Sequence, residues 1–169
     1  MRLSTRFLAP TLLLSVAFSI PRATADDIVD TTARNPNLST FLTAMKETGL
    51  VDTLRSAGPF TVFAPTNDAF AKLPKKGLDA ALTNKALLSM ILTYHVAPGK
   101  VMVADAMKVK NGTRVRTLEG DSVTIKNRGG ISVERARVSK ADIECDNGVI
   151  HVIDTVLIPP DLNGRPRKR

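Results

Sequence analysis

Apolar positions in the first half of the chain recur with the period of a helix. Leu38, Phe41, Leu42 and Met45 fall at i, i+3, i+4 and i+7, one face of a helix opened by Asn37 and stopped by Gly49. Leu50, Val51 and Leu54 predict a second, shorter helix that closes at the Gly58-Pro59 turn. Phe60-Thr61-Val62-Phe63 reads as a buried strand. Thr66 is a candidate N-cap for a short helix carrying Phe70 and Leu73 and broken at Pro74. Another helix follows Thr83, with Leu87, Leu88, Ile91 and Leu92 turned inward.

After Pro98-Gly99 the period changes to two. Thr113 to Leu118, Ser122 to Lys126 and Ile131 to Arg135 alternate apolar with polar residues. The turns between them are Glu119-Gly120-Asp121 and Asn127-Arg128-Gly129-Gly130. Val149 to Ile158 is apolar on both faces, as a strand covered on both sides must be. Helices followed by strands predict one α+β domain, without internal repeat or second domain.

The N-terminus changes the picture of where this domain works. Arg2 and Arg6 precede a short apolar run, Phe7 to Ile20, and Ala23-Thr24-Ala25 gives a small-x-small cleavage pattern. Residues 1–25 are therefore expected to be a signal peptide, 26–160 the domain and 161–169 a basic tail. The mature protein is expected in the periplasm or outside the cell. The formal charge of +8 divides along the same lines. Without Arg2, Arg6 and Arg22 of the leader and Arg165, Arg167, Lys168 and Arg169 of the tail, 17 basic residues face 16 acidic ones. The tail reads first as a solvated, disordered end, and second as a point of contact with a membrane surface or an acidic polymer. One tyrosine, no tryptophan and no basic-aromatic stripe speak against nucleic acid.

The residue inventory offers little for catalysis. Two histidines, His95 and His151, with no Gly-x-Ser-x-Gly elbow and no His-x-x-x-His pair, assemble neither a hydrolytic triad nor a zinc site. No enzyme activity, metal or cofactor is expected. Asp142, Glu144 and Asp146 alternate along the chain and read as a solvated strand face rather than a calcium loop. Cys145 is the sole cysteine, so a half-buried thiol of raised pKa is expected, and an intermolecular disulfide is the alternative. Asn37-Leu38-Ser39 and Asn111-Gly112-Thr113 are sequons with simple structural readings, at a helix start and in a turn.

Three stretches together resemble the fasciclin domain family. Thr61-Val62-Phe63-Ala64-Pro65-Thr66-Asn67-Asp68-Ala69-Phe70 is similar to its first signature, Tyr94-His95-Val96 to its central Tyr-His box, and Asn147 to Asp154 with Leu157-Ile158-Pro159 to its second signature. The resemblance covers essentially the whole mature chain. It implies a wedge of β-sheets with several packed helices, and a role in cell adhesion or surface or matrix binding. In animal members integrin contact is linked to the Tyr-His box and to an Asp-Ile pair, here Tyr94, His95, Asp142 and Ile143; the integrin itself does not carry over. The partner implied is a cell-surface or matrix protein or a polysaccharide. A lone module bridges two surfaces only as a homodimer or by binding two partners itself.

The residues themselves give a scaffold reading beside that one. Thr66 caps a helix, Asp68 suits its N-terminal dipole, and His151 and Asp154 sit on opposite faces of an apolar strand. Asp154 is expected to be mostly buried and bonded to backbone N–H groups. Tyr94 and His95, between a helix and a turn, are expected to tie the backbone down.

Overall fold

The computed structural model describes residues 26–56, 58–74, 83–108, 112–127 and 129–163. The leader, the Asn111 sequon residue and the tail from 164 onward lie outside this range. The first described element is a helix that periodicity did not reveal, α1 (Ile28–Ala33), capped by Asp27, whose carboxylate accepts the Asp30 N–H at 2.7 Å. At six residues α1 is too short to display a repeat. Asn37 does not open the next helix as the pattern suggested. Asn35 instead caps a 3₁₀ turn, Pro36–Leu38, because Pro36 supplies the preset φ of a first turn. Helix α2 (Ser39–Thr48) follows, and Gly49 ends it at φ 73°, a left-handed turn that glycine adopts without steric cost. Next come α3 (Leu50–Arg55), β1 (Phe60–Pro65), α4 (Asn67–Ala71) and α5 (Lys85–Tyr94). Asn84 caps α5, accepting from the N–H groups of Ala86 and Leu87.

The second half is β2 (Val96–Pro98), α6 (Val103–Met107), β3 (Thr113–Arg116), β4 (Ser122–Lys126), β5 (Ser132–Val133), β6 (Ala136–Cys145) and β7 (Gly148–Ile153). The strands line up in the order β2-β1-β7-β6-β5-β4-β3. Only β1 and β7 run parallel; the other pairs are antiparallel. Every residue of β7 is buried, as its two-faced apolar sequence requires.

Side chains alternate across β1 and so serve two cores. Val62 and Ala64 join the cluster of Ile28, Leu38, Phe41, Met45, Leu54 and Leu92 under the helices. Phe63 points the other way, into a cluster with Tyr94, Val115, Val123, Ile125 and Leu157. The sheet reaches that second core by bending along β6, which pairs with β5 near its start and with β7 further on, across two register irregularities. The result is the α+β wedge expected.

Three strand expectations need correction. The expected strand Ile131 to Arg135 is only Ser132–Val133, because Glu134 turns the chain at φ 54°. Of the ten-residue β6 only the end was expected, as the strand face carrying Asp142 and Glu144; its bulges shift the polar-apolar phase mid-strand, which hides the alternation before them. The last strand stops at Ile153, and Val156 and Leu157 are buried beyond its end.

Where β7 begins beside β1, the two backbones nearly touch. A Cβ on Gly148 would lie 2.0 Å from the Phe60 carbonyl oxygen and 2.9 Å from Ile28 Cδ1. Gly148→Ala is therefore expected to lower the unfolding free energy by about 3 kcal/mol. Gly99→Ala, with nothing within 4 Å of the added methyl, should cost about 1 kcal/mol through its positive φ alone. Denaturant titration of the two variants checks both.

Candidate functional site

Tyr94 is the last residue of α5 and His95 its C-cap. The His95 ring is fully buried. Its Nδ1 lies 2.7 Å from the Ile91 carbonyl, one helical turn back, and its Nε2 accepts the Leu157 N–H at 2.9 Å. Only the neutral ring with its proton on Nδ1 satisfies both partners. Burial drives its pKa down to about 4, against an upward pull from the Ile91 carbonyl. The His95 carbonyl accepts the Phe63 N–H at 2.8 Å, so this residue joins helix, strand β1 and the segment after β7. Tyr94 is 3% exposed and belongs to the second core. Burial, then the charges of Glu134, Asp121 and Glu119, push its hydroxyl up to about 12. It lies at a cleft of about 430 Å³ that Glu134, Arg135, Thr155 and Leu157 also line.

Asp142 and Ile143 sit at the bulge of β6, where Asp142 takes φ 53°. The Asp142 carboxylate accepts the Val103 N–H at 2.9 Å and so caps α6 from another part of the chain. Its own N–H reaches His151 Nδ1 at 3.2 Å, while His151 Nε2 lies 2.8 Å from the Val101 carbonyl. His151 is thus also a neutral bridge, with its proton on Nε2, and its ring stacks on Phe63 at 5.8 Å. Burial lowers its pKa, opposed by the Val101 carbonyl and Asp142. Ile143 packs against the helical core. The Asp-Ile pair lies on β6, whereas Tyr94 and His95 end the helix that leads into β2, so the two pairs are not adjacent. β1 and β7 stand between β2 and β6, a span of roughly 14 Å at the usual strand spacing.

Thr66 caps α4 as expected, its hydroxyl accepting the Ala69 N–H at 3.2 Å, and Asp68 stands exposed in the first turn. The expectation for Asp154 needs correction. It lies just past the end of β7 with 43% of its side chain exposed. Its carboxylate accepts the Arg137 N–H at 2.9 Å and the Thr155 hydroxyl at 3.0 Å. Its partial burial alone would raise its pKa; those two bonds, with Lys72 and Arg137, outweigh that and lower it.

Two asparagines were passed over that matter as much. Asn67 Oδ1 accepts the Thr40 N–H at 3.0 Å at the start of α2, and its Nδ2 donates to the Pro36 carbonyl at 3.0 Å. Asn147 Oδ1 accepts the Ile28 N–H at 2.9 Å at the start of α1, and its Nδ2 donates to the Leu54 carbonyl near the end of α3. Their place inside the two signature stretches was the available signal. Each satisfies helix ends far away in sequence, which local pattern does not disclose.

The alternating carboxylates do not converge. Asp142 caps α6, Glu144 pairs with Lys100 at 2.7 Å, and Asp146 is exposed in the turn before β7. Among the described residues, carboxylates gather instead at Glu119, Asp121 and Asp161. The Cys145 thiol is buried, and burial raises its pKa, partly offset by a hydrogen bond to Thr31. The neighbouring acids that add to the rise are Asp27, Asp26 and Asp146.

Comparison with known proteins follows the same outline. The family profile described as Fasciclin domain matches residues 36–159. Protein sll1483 of Synechocystis sp. is 48% identical over 136 residues, which cover 79% of this chain and 73% of that one. The cell surface glycolipoprotein MPB83 of Mycobacterium bovis is 38% identical over 148 residues, covering 84% of this chain and 64% of that one. A FAS1 domain pair from the insect cell adhesion molecule Fasciclin I superposes with a TM-score of 0.66 at 22% identity, over 82% of this chain and 52% of that one.

Two outcomes follow from this geometry. His95 has its folded pKa below the ordinary 6.5, so the unfolded chain binds its proton first as pH falls. Its contribution should be complete above pH 6.5 and decline towards pH 4, by about 3 kcal/mol in all, with His151 acting in the same direction. Denaturation curves across that range, with NMR titration of the two rings, test this. Asn147→Ala should cost about 2 kcal/mol by stripping partners from both α1 and α3, and Asn147→Asp, which keeps the acceptor alone, should cost less.

Proposed function

This chain belongs to the fasciclin domain family, and from that membership we propose that it is an exported surface- or matrix-binding module and not an enzyme. The family is associated with cell adhesion or surface binding. The leader reading supports export, and the relative MPB83 bears a cell-surface name. No helix among the described residues is long and apolar enough to cross a membrane. The observation that carries the non-catalytic reading is the state of the two histidines. Each is buried and neutral, with both ring nitrogens engaged by backbone groups, so neither offers a free nitrogen to move a proton at a substrate.

In this reading Tyr94 and His95 are a structural joint, and Asp142 holds α6 in place while Ile143 packs inward. The partner, a cell-surface or matrix protein or a polysaccharide, meets the exposed surroundings of these residues. The mature protein, immobilised and challenged with surface and matrix material, should capture a partner. His95→Ala should lower melting temperature and capture together. Capture lost with melting unchanged would assign His95 a direct contact, and ester turnover abolished by the same substitution would establish an enzyme.

A further inference from the structure

The domain's near-neutral charge is unevenly placed, and the sheet register shows where the cations collect. Val115, Val123, Ile125 and Val133 are buried in the second core, so their neighbours in sequence stand on the opposite face. On that face Arg116 lies across from Ser122 and Arg114 across from Thr124. One step along, Lys126 pairs with Ser132, and Ser132 with Arg137. All four cations are exposed. At ordinary strand spacings they fall within a patch roughly 15 Å on a side. None takes part in an ion pair among the described residues. Two acids bond to its backbone: Asp154 at the edge accepts the Arg137 N–H, and Glu134 accepts the Thr124 N–H at 2.7 Å.

We propose that this outer face of β3, β4, β5 and the start of β6 is a docking surface for an acidic polysaccharide, an inference that rests on the surface-binding reading and gives it a site. No two of these cations are cross-strand partners, but the four, within a few strand spacings of one another, add their fields into one positive potential; a chain of regularly spaced anions is attracted to it. Guanidinium groups take carboxylate or sulfate with two parallel hydrogen bonds. The hydroxyls of Ser122, Thr124 and Ser132, set between the cations, offer donors and acceptors to sugar hydroxyls. The face carries no aromatic residue on which bases could stack. It carries no apolar side chain to enter a bilayer. A flat cationic face with interleaved hydroxyls suits an extended, hydrophilic polyanion.

The test uses the full mature chain against dextran sulfate and polygalacturonate, with neutral dextran, anionic phospholipid vesicles and a single-stranded oligonucleotide alongside. Binding to the two acidic polysaccharides is expected, weakening as salt rises, and none to dextran. Arg114→Gln/Arg116→Gln and, separately, Lys126→Gln/Arg137→Gln should each weaken it by about tenfold or more with melting unchanged. If one pair fails to fold, the other decides. Deleting residues 165–169 should leave most of the affinity. The proposal is overturned if neither polysaccharide binds, if the double variants bind like the parent, if tail deletion alone abolishes binding, or if vesicles or oligonucleotide bind in preference. A chain that captures surface proteins but ignores both polysaccharides sinks this inference and leaves the surface-binding reading standing. A chain that captures nothing from surface, matrix or polysaccharide sinks both.

Discussion

The parallel pairing of β1 with β7 is the constraint on which the rest of this molecule depends. Both strands are buried on both sides, so each must be covered twice. The helices cover one face. The other is covered by the sheet itself, which bends along β6 and brings β3, β4 and β5 over Phe63 and Ile153. Backbones as close as those at Phe60 and Gly148 leave no room for a side chain at the point where the pairing starts.

A second consequence follows from the helices being short. Several have five or six residues, a length at which isolated helices do not persist in water. Tertiary contacts must therefore complete them. Asn67 caps α2, Asn147 serves α1 and α3, and Asp142 caps α6, all from distant positions. His95 and His151 do the equivalent for carbonyls and N–H groups of the connecting segments. The family signatures are, in this chain, mostly the side chains that satisfy backbone groups the short elements leave open. These residues are committed to the fold, whereas Arg114, Arg116, Lys126 and Arg137 of the β3–β6 face stand exposed, Arg137 beside Asp154.

What the sequence determined alone was whatever depends on neighbours a few residues apart. Helical periodicity located α2 and α5, and Thr66 and Gly49 marked a start and a stop by local hydrogen bonding and a left-handed turn. Alternation located β3 and β4, an apolar run located β7, the order of helices before strands gave the α+β class, and three signature stretches in order identified the family. Tertiary structure alone decided the rest. β6 was legible only near Asp142 and Glu144 because two bulges break its phase, and α1 was not legible because one buried side of six residues shows no repeat. Asp154 lies half exposed because β7 ends one residue earlier, which an apolar run continuing to Ile158 conceals. The roles of Asn67, Asn147 and Asp142 come from partners 27, 119 and 39 residues away. The gathering of Arg114, Arg116, Lys126 and Arg137 comes from strand register. Contacts at that separation are set by how the chain closes on itself, and a linear pattern carries only the short-range part of that information.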